Sequence, residues 1–363
     1  MNVTYSALAR NGMLLLPSFR WSVSVLSLAA ASLLPCAARA AEIFVTYAPT
    51  GGGSGQIGAY TTSGATINAD LVPDSNSPEG LTSAGSDLYV ANESNGTIGQ
   101  YTISGATVNA SLVSGLSTPV GVAVSGSDVF VADPHRGVIG EYTTSGTTVN
   151  ASLISGLSYP VNVAVSGSDI FVVNLDSGTN PNGTIQEYTT SGVPINTSLI
   201  QLTDFPEGIA ISGSDLFVSL SYVFGGNSIG EYTTSGATVN ANLIQGLDNP
   251  RELAIFGSDL FVTNEVSGTV GEYTTSGTTV NASLISGLND VFGITVVPEP
   301  SSISLLALGG FGLAFFVKQR NRDRNEVSRR GVAAPLRLLA ARRRDAHLPN
   351  PTRKRPAVWH VGR

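Results

Sequence analysis

The chain has 363 residues, is 42% hydrophobic and only 12% charged, and carries a formal net charge of −7. Its one cysteine and three histidines exclude a disulfide-stabilised fold and leave few ligands for a zinc cluster. Residues 41–297 hold 22 acidic and two basic residues, a net charge of −20, whereas basic residues concentrate from Lys318 onward. Such an acidic region disfavours nucleic acid as a partner.

The first 40 residues are predicted to be an export signal. Arg10 and Arg20 precede an apolar run at 23–34, and the small residues around Ala40 give a cleavage pattern before Ala41. Cleavage there removes Cys36, the only cysteine, and leaves a mature protein that cannot form disulfides.

Two alternatives concern this N-terminal segment. The basic region is long for a signal peptide, so translation from Met13 is an alternative to Met1. Cys36 raises the alternative of a lipoprotein, but Pro35 occupies a position where that signal requires a small residue. We therefore expect cleavage between Ala40 and Ala41 without lipidation.

Residues 57–297 form a repeat array. A stretch resembling Tyr-Thr-Thr-Ser-Gly recurs at spacings of 41, 41, 46, 44 and 41 residues. Its tyrosines are Tyr60, Tyr101, Tyr142, Tyr188, Tyr232 and Tyr273. A fixed period in this range is typical of repeat architectures such as solenoids and propellers.

Each repeat contains four short segments of β-branched and aromatic residues. In one unit these are residues 120–124, 129–131, 139–142 and 148–154, separated by Gly, Ser, Asp and Asn, which favour turns. No window shows the 3.6-residue period of a helix. Four strands in about 40–45 residues predict one blade of a β-propeller.

The two ends of the array predict how the ring closes. The last unit stops after its first strand at 293–296, and the missing second strand appears at residues 43–46, which match 260–263. The sequence therefore predicts an all-β, six-bladed propeller over residues 41–297, closed by its N-terminal strand so that no sheet edge is left open at the seam.

The repeats resemble NHL-type propeller repeats. A Pro-x-Gly strand at 119–124 leading to Val-Phe-Val-Ala-Asp at 129–133 carries the resemblance most clearly, and the resemblance covers about residues 43–296. It implies the fold, but not one function, because such propellers include scaffolds, lyases and lactonases.

The copies differ most in the loops that follow each second strand, and both insertions in the period fall there. Variation on one face of a repeat array favours a binding surface, with unconstrained drift as the alternative. The candidate contact residues in these loops are Asn92, Asp133, His135, Asn174 and Asn264. His135 is the only histidine in 41–297 and is expected to be an exposed residue rather than a base.

The same face should hold the mouth of the central channel, formed by the residue after each inner-strand proline. Around the ring these residues are Glu79, Val120, Val161, Glu207, Arg251 and Phe292. In regucalcin-like and gluconolactonase-like propellers, which this arrangement resembles, acidic and amide residues here hold a catalytic divalent metal. Only Glu79 and Glu207 match in type, and Arg251 opposes a cation.

An ion pair between Arg251 and Glu207 would explain these residues without a metal. We therefore expect no cofactor, with a divalent cation as the alternative. The aspartates that recur after Gly-Ser lack the spacing of a calcium loop and are expected to cap turns through backbone N–H groups.

The C-terminal region predicts a sorting signal. Pro298, Glu299 and Pro300 precede an apolar run at 303–317 and an arginine-rich cluster ending at Arg324. This order resembles the PEP-CTERM signal of Gram-negative bacteria, which implies processing by an exosortase system and delivery to the envelope or extracellular polymer. The run of 15 residues is short for a membrane span, which needs about 20, so both transient and permanent inner-membrane anchoring are compatible with it.

Residues 325–363 form a basic tail without apolar periodicity and are predicted to be disordered. Read-through sequence and nucleic-acid binding are the alternatives, and export disfavours the second.

Together these features predict an exported, non-enzymatic binding module of the cell surface or matrix, with an envelope polymer or protein as its partner. The alternatives are a metal-dependent lactonase- or lyase-like enzyme and a purely structural matrix protein.

Overall fold

The computed structural model describes residues 41–48, 55–73, 75–177, 180–221 and 227–298. They form 24 strands arranged in six antiparallel sheets of four. The innermost strands of neighbouring sheets contact one another around a closed ring, which confirms the six-bladed propeller. The predicted signal peptide at 1–40, the apolar segment at 303–317 and the tail at 325–363 lie outside the described residues.

Each blade runs from the channel outwards through four strand positions. The innermost strands are β4 (Pro78–Ala84), β8 (Val122–Ser125), β12 (Tyr159–Ser166), β16 (Phe205–Ser212), β20 (Pro250–Phe256) and β24 (Asn289–Val297). The second strands are β1 (Glu42–Ala48), β5 (Asp87–Asn92), β9 (Asp128–Asp133), β13 (Asp169–Ser177), β17 (Asp215–Ser221) and β21 (Asp259–Asn264).

The outer half of each blade completes the sheet. The third strands are β2 (Gln56–Thr61), β6 (Thr97–Thr102), β10 (Val138–Thr143), β14 (Asn180–Thr189), β18 (Ser228–Thr233) and β22 (Thr269–Thr274). The outer strands are β3 (Thr66–Val72), β7 (Thr107–Ser114), β11 (Thr148–Ser155), β15 (Pro194–Leu202), β19 (Thr238–Gln245) and β23 (Thr279–Ile285). A short 3₁₀ turn at Pro134–Arg136 follows β9.

The ring closes through the N-terminal strand, as the sequence predicts. Strand β1 lies between β24 and β2 in one sheet, with Phe44 paired to Thr295 on one side and to Ala59 on the other. The first described strand and the last one therefore belong to the same blade, and releasing β1 from this seam requires breaking both ladders.

The second strands form the centre of the core. Their third residue is a phenylalanine in five blades and Tyr89 in the sixth, and all six side chains are buried. The phenylalanines are Phe44, Phe130, Phe171, Phe217 and Phe261. The buried residues group into six clusters that lie between neighbouring blades, so apolar burial stabilises the ring as well as each sheet.

The recurring tyrosine of the third strand explains a recurring glycine. A side chain on Gly140 would meet the ring of Tyr142 at 2.8 Å, and the same relation holds in four other blades. In the remaining blade Gln186 replaces the glycine, and the Tyr188 hydroxyl donates to its side chain at 2.6 Å. The tyrosine ring thus covers the residue two positions before it, which is glycine unless its side chain accepts a hydrogen bond from the tyrosine hydroxyl.

The Thr-Ser-Gly stretch forms the turn between the third and outer strands. In the turn after β10, Thr143 Oγ1 accepts from the Thr147 N–H at 3.0 Å, and the Thr144 N–H donates to Ser127 in the turn between the first and second strands. The two turns therefore brace one another on one face of the disc, which explains why they vary little among copies.

The recurring aspartates differ from the expectation that they cap backbone N–H groups. Among the described contacts, Asp128 and Asp169 accept from the hydroxyl of the preceding serine, and Asp87 accepts from Gln100 at 2.9 Å. In four other blades a glutamate takes the place of Gln100. Burial raises the pKa of each of these glutamates, and the charge of the neighbouring aspartate raises it further.

Candidate functional site at the channel mouth

A cavity of about 320 Å³ opens at the channel mouth, on the face that carries the varied loops. All six residues predicted to form the mouth line it, together with Glu93, Tyr159, Asn162, Phe205 and Glu252. Each mouth residue lies at or just before the start of an inner strand, so the fold brings together side chains far apart in sequence. Glu79 and Glu207 are three blades apart and therefore lie on opposite sides of the mouth.

Arg251 is held by two carboxylates and an aromatic ring. Its Nη1 lies 3.0 Å from Oε2 of Glu207, and its Nε lies 2.7 Å from Oε2 of Glu265. The guanidinium carbon is 5.6 Å from the ring centre of Phe292, a cation–π distance. The ion pair with Glu207 that the sequence raised as an alternative is thus present, and Glu265 is a partner that sequence reasoning missed.

Burial raises the pKa of both mouth glutamates, Glu79 and Glu207. Burial raises the pKa of Glu79 to about 8, with the positive charge of Arg251 opposing the rise. Burial also raises the pKa of Glu207, and its contact with Arg251 acts in the opposite direction. Since Arg251 binds Glu207 directly, Glu79 is the carboxylate of the pair that lacks a cation in contact among the described residues.

A second layer lies just inside the mouth and was missed by the sequence reasoning. The residue after the mouth residue is glycine in four blades, but it is Asn162 in one and Glu252 in another. Asn162 Nδ2 donates to Glu252 Oε1 at 2.7 Å, with a blade between them. Burial raises the pKa of Glu252 to about 7. The departure from Pro-x-Gly at these two positions was the signal that could have identified this pair.

Three backbone carbonyls of the mouth are bonded between neighbouring blades. Thr46 Oγ1 donates to the Glu79 carbonyl at 2.7 Å, and Thr263 Oγ1 donates to that of Phe292 at 2.7 Å. Ser219 makes the same bond to Arg251. These buried hydroxyls also accept an N–H from their own blade, so the carbonyls are already used in joining neighbouring blades.

Three of the predicted loop residues accept backbone N–H groups of their own blade. Asp133 accepts the N–H groups of Ser117 and Thr118 at 2.8 and 3.1 Å. Asn174 accepts the Tyr159 N–H at 3.1 Å, and Asn264 accepts the Asp248 N–H at 3.4 Å. Each side chain thereby fixes the connection that leads into the inner strand of its own blade.

Asn92 and His135 differ from this pattern. Asn92 is buried and donates to Thr97 at 3.3 Å, and its Oδ1 has no hydrogen-bond partner among the described residues. His135 is exposed and meets the ring of Tyr159 edge to face, with ring centres 6.0 Å apart. Of the five candidate loop residues, His135 and Asn174 both contact Tyr159, which lines the cavity: His135 meets its ring, and Asn174 accepts its backbone N–H.

The described residues include no group of three or more His, Cys, Asp or Glu side chains arranged to hold a metal ion. Calcium takes six to eight oxygen ligands, whereas magnesium keeps several waters and binds one or two carboxylates. At the mouth, Arg251 occupies Glu207 and Glu265, and the three carbonyls bonded by Thr46, Ser219 and Thr263 are engaged between blades. The mouth therefore does not offer the ligand set of a calcium ion in this arrangement, and Glu79 and Glu93 are its carboxylates without a cation in contact among the described residues.

Residues 296–320 match the PEP-CTERM protein-sorting motif. Of its Pro-Glu-Pro core, Pro298 is described, whereas Glu299 and Pro300 lie outside the described residues. The motif implies export towards the cell envelope or surface and processing by exosortase-type machinery. Within the described part of the chain, no helix is long and apolar enough to cross a membrane. No curated protein sequence matches the chain significantly.

Solved structures resemble the chain in fold. A chain of a nidogen–laminin complex superposes with a TM-score of 0.58 at 17% identity, over 70% of this chain and 98% of that one. A gluconolactonase from Xanthomonas campestris aligns with a TM-score of 0.48 at 15% identity, over 61% of this chain and 83% of its own. At these identities the likeness shows the fold alone, and the first of the two supports the resemblance to NHL-type propellers at that level.

The closed ring of six blades and the match to the C-terminal motif together characterise the chain. The chain is a six-bladed β-propeller that carries a PEP-CTERM protein-sorting motif.

Proposed function

We propose that the chain is a non-enzymatic binding module of the cell surface or extracellular matrix, with the varied loop face and channel mouth as its contact surface. The sorting motif supports the location. The acidic, cysteine-free composition of 41–297 suits a soluble extracellular domain. Its partner would be an envelope or extracellular polymer or protein.

The observation that carries the proposal is the way the polar groups of this face are occupied. Arg251 is bonded to Glu207 and Glu265, and Asp133, Asn174 and Asn264 fix backbone. An acid–base catalyst needs a group free to exchange a proton with substrate, and Glu79 is a mouth carboxyl that meets this condition. The other polar side chains named here are held by one another or by backbone, which suits binding by a preorganised site.

One apolar side chain on this face gives a direct test. Val266, in the loop after β21, is 72% exposed, and Val280, on outer strand β23 of the same blade, is 54% exposed. We expect Val266→Arg to weaken rebinding of the purified protein to envelope material from a strain that lacks it, by about tenfold if the loop lies within the contact. Val280→Arg adds the same charge on the outer strand of that blade and should leave rebinding unchanged.

Equal rebinding of the two variants would contradict the assignment of this face. Both variants should keep the wild-type melting temperature within about 2 °C, because substitutions at exposed sites change stability little. Rebinding is measured as the amount retained against protein concentration at physiological salt, so that weak electrostatic adsorption does not dominate.

The runner-up function is a metal-dependent lactonase or lyase centred on Glu79 and Glu207. The observation that favours it is the raised pKa of both carboxylates at the mouth, since perturbed carboxyls gather at active sites. A hydrolase activity that requires added divalent metal and disappears in both Glu79→Gln and Glu207→Gln would support the enzyme and contradict the binding module. A spacer without a specific ligand is the third possibility, and it predicts no saturable rebinding.

A further inference from the structure

The cavity at the channel mouth has two unlike sides. On one side, Glu207 and Glu265 neutralise Arg251 by direct contact. On the other side lie Glu79 and Glu93, for which no contact with a cation exists among the described residues. Four carboxylates and one guanidinium line the cavity in all. Once these carboxyls are ionised, the cavity therefore carries excess negative charge beside a guanidinium that is already paired.

Aromatic rings provide part of the remaining surface, beside aliphatic residues such as Val120 and Val161. Tyr159, Phe205 and Phe292 each line the cavity and are each partly exposed, and Phe292 already carries the Arg251 guanidinium at 5.6 Å. Burial raises the pKa of the Tyr159 hydroxyl, and the charges of Glu93, Glu207 and Glu79 raise it further. Aromatic faces next to carboxylates attract cations that carry an apolar body.

The volume of the cavity and the groups that line it narrow the class of ligand further. A volume of about 320 Å³ is at the small end of the range for small-molecule sites, about 300–1,000 Å³. A calcium ion would find most oxygen donors of the mouth already bonded, and an anion would meet Arg251 only after displacing two carboxylates. An organic cation needs only one or two carboxylates and an aromatic wall.

We propose that this cavity binds a small organic cation, with an ammonium group against Glu79 and Glu93 and an apolar body against Tyr159 and Phe205. The proposal rests on the proposed function, because it names the ligand class of the same contact face. Glu252 and Asn162 close the floor by bonding to each other, so the ligand would enter from the varied face and stop at this layer.

Binding of such a cation should tighten as the pH rises. Burial raises the pKa of Glu79 to about 8, so the carboxyl must lose a proton to meet the ammonium group. The charged groups that act on it are Arg251, Glu93, Glu265 and Glu207. A ligand with a permanent charge separates this titration from that of the ligand itself.

The test is a titration of the full protein, as its host makes it, with benzyltrimethylammonium, followed by ligand-observed NMR. Benzyl alcohol is the neutral control of similar shape. We expect the cation to bind at least about tenfold more tightly than the alcohol at pH 8.5 and more weakly at pH 6. Glu79→Gln should weaken binding at least about fivefold and abolish most of the pH dependence.

A matched variant controls for the loss of a carboxylate in general. Glu141→Gln removes another partly buried carboxyl of raised pKa, on third strand β10 and outside the cavity, and should leave binding unchanged. Equal binding of cation and alcohol, an equal effect of both variants, or displacement of the cation by millimolar calcium or magnesium would overturn the proposal. If the cation fails to bind while rebinding to envelope still depends on Val266, the ligand class is wrong and the binding module stands.

Discussion

Phe44→Ala is expected to lower the free energy of unfolding by about 3–5 kcal/mol, the usual cost of removing a buried phenylalanine side chain. Phe44 is fully buried in β1, where it packs against Ile57, Leu81 and Leu88. Since β1 is the strand that closes the ring, the loss acts on the seam as well as on the core. For a domain of this size the melting temperature should fall by about 6–20 °C, as measured by calorimetry or denaturant titration.

Two variants make this result specific to closure. Phe130→Ala changes the same position of β9, inside a blade built from one continuous stretch of chain, and should cost about as much. Val149→Ala changes an exposed valine of β11, 54% exposed, and should cost less than about 0.5 kcal/mol. If Phe44→Ala behaves like Val149→Ala, the N-terminal strand does not complete the ring and the closure described above is wrong.

The second large effect concerns Arg251. Arg251→Met leaves Glu207 and Glu265 without their cation, and removing one partner of a buried pair costs about 3–5 kcal/mol. The three side chains are 19–29% exposed, and solvent weakens the penalty, so we expect a loss of about 1–3 kcal/mol at pH 8. The measurement is a denaturant titration of the wild type and the variant.

The loss should depend on pH in a defined direction. Without Arg251, nothing opposes the rise that burial causes in the pKa of Glu207. A carboxyl whose folded pKa is raised binds more protons when folded, so stability falls as pH rises through the interval between its unfolded and folded pKa values. The variant should therefore be nearly as stable as the wild type at pH 4 and less stable at pH 8.

A double variant separates lost charge from lost packing. Arg251→Met combined with Glu207→Gln removes one of the stranded carboxylates and should recover part of the stability lost in the single variant at pH 8. An Arg251→Met protein as stable as the wild type at pH 8 would contradict the assignment of Arg251 as the group that neutralises this side of the mouth.

The sequence predicts the blades and their closure because both depend on local patterns. Four short apolar segments per repeat specify four strands, and the match between residues 43–46 and 260–263 identifies the missing strand. The six mouth residues also follow from position alone, since each follows the inner-strand proline or its equivalent. Ring symmetry then places Glu79 opposite Glu207, and it places Arg251 beside Glu207.

What the sequence does not specify is how side chains pair across blades. The bond between Asn162 and Glu252 joins residues 90 apart, and the contact of Arg251 with Glu265 depends on where the loop after β21 folds. The aspartates after Gly-Ser were expected to bind backbone, but the described partners are serine hydroxyls and Gln100. In each case the partner is chosen by three-dimensional neighbours that periodicity does not encode.

The roles of the loop asparagines and aspartate show a related limit. Variable loops predict a contact surface, and Asp133, Asn174 and Asn264 lie there, but their side chains bond to nearby backbone. A polar residue at the end of a strand is equally suited to a ligand or to an N–H group of its own loop. Only the position of that loop distinguishes the two.

Export can be tested by the intact mass of the protein, recovered separately from cytoplasmic, membrane and extracellular fractions of its host. We expect a species that begins at Ala41 in the envelope or extracellular fraction and ends near residues 298–300 after processing. A cytoplasmic species that keeps its N-terminus from Met1 or Met13 would contradict export and, with it, the proposed binding module at the cell surface.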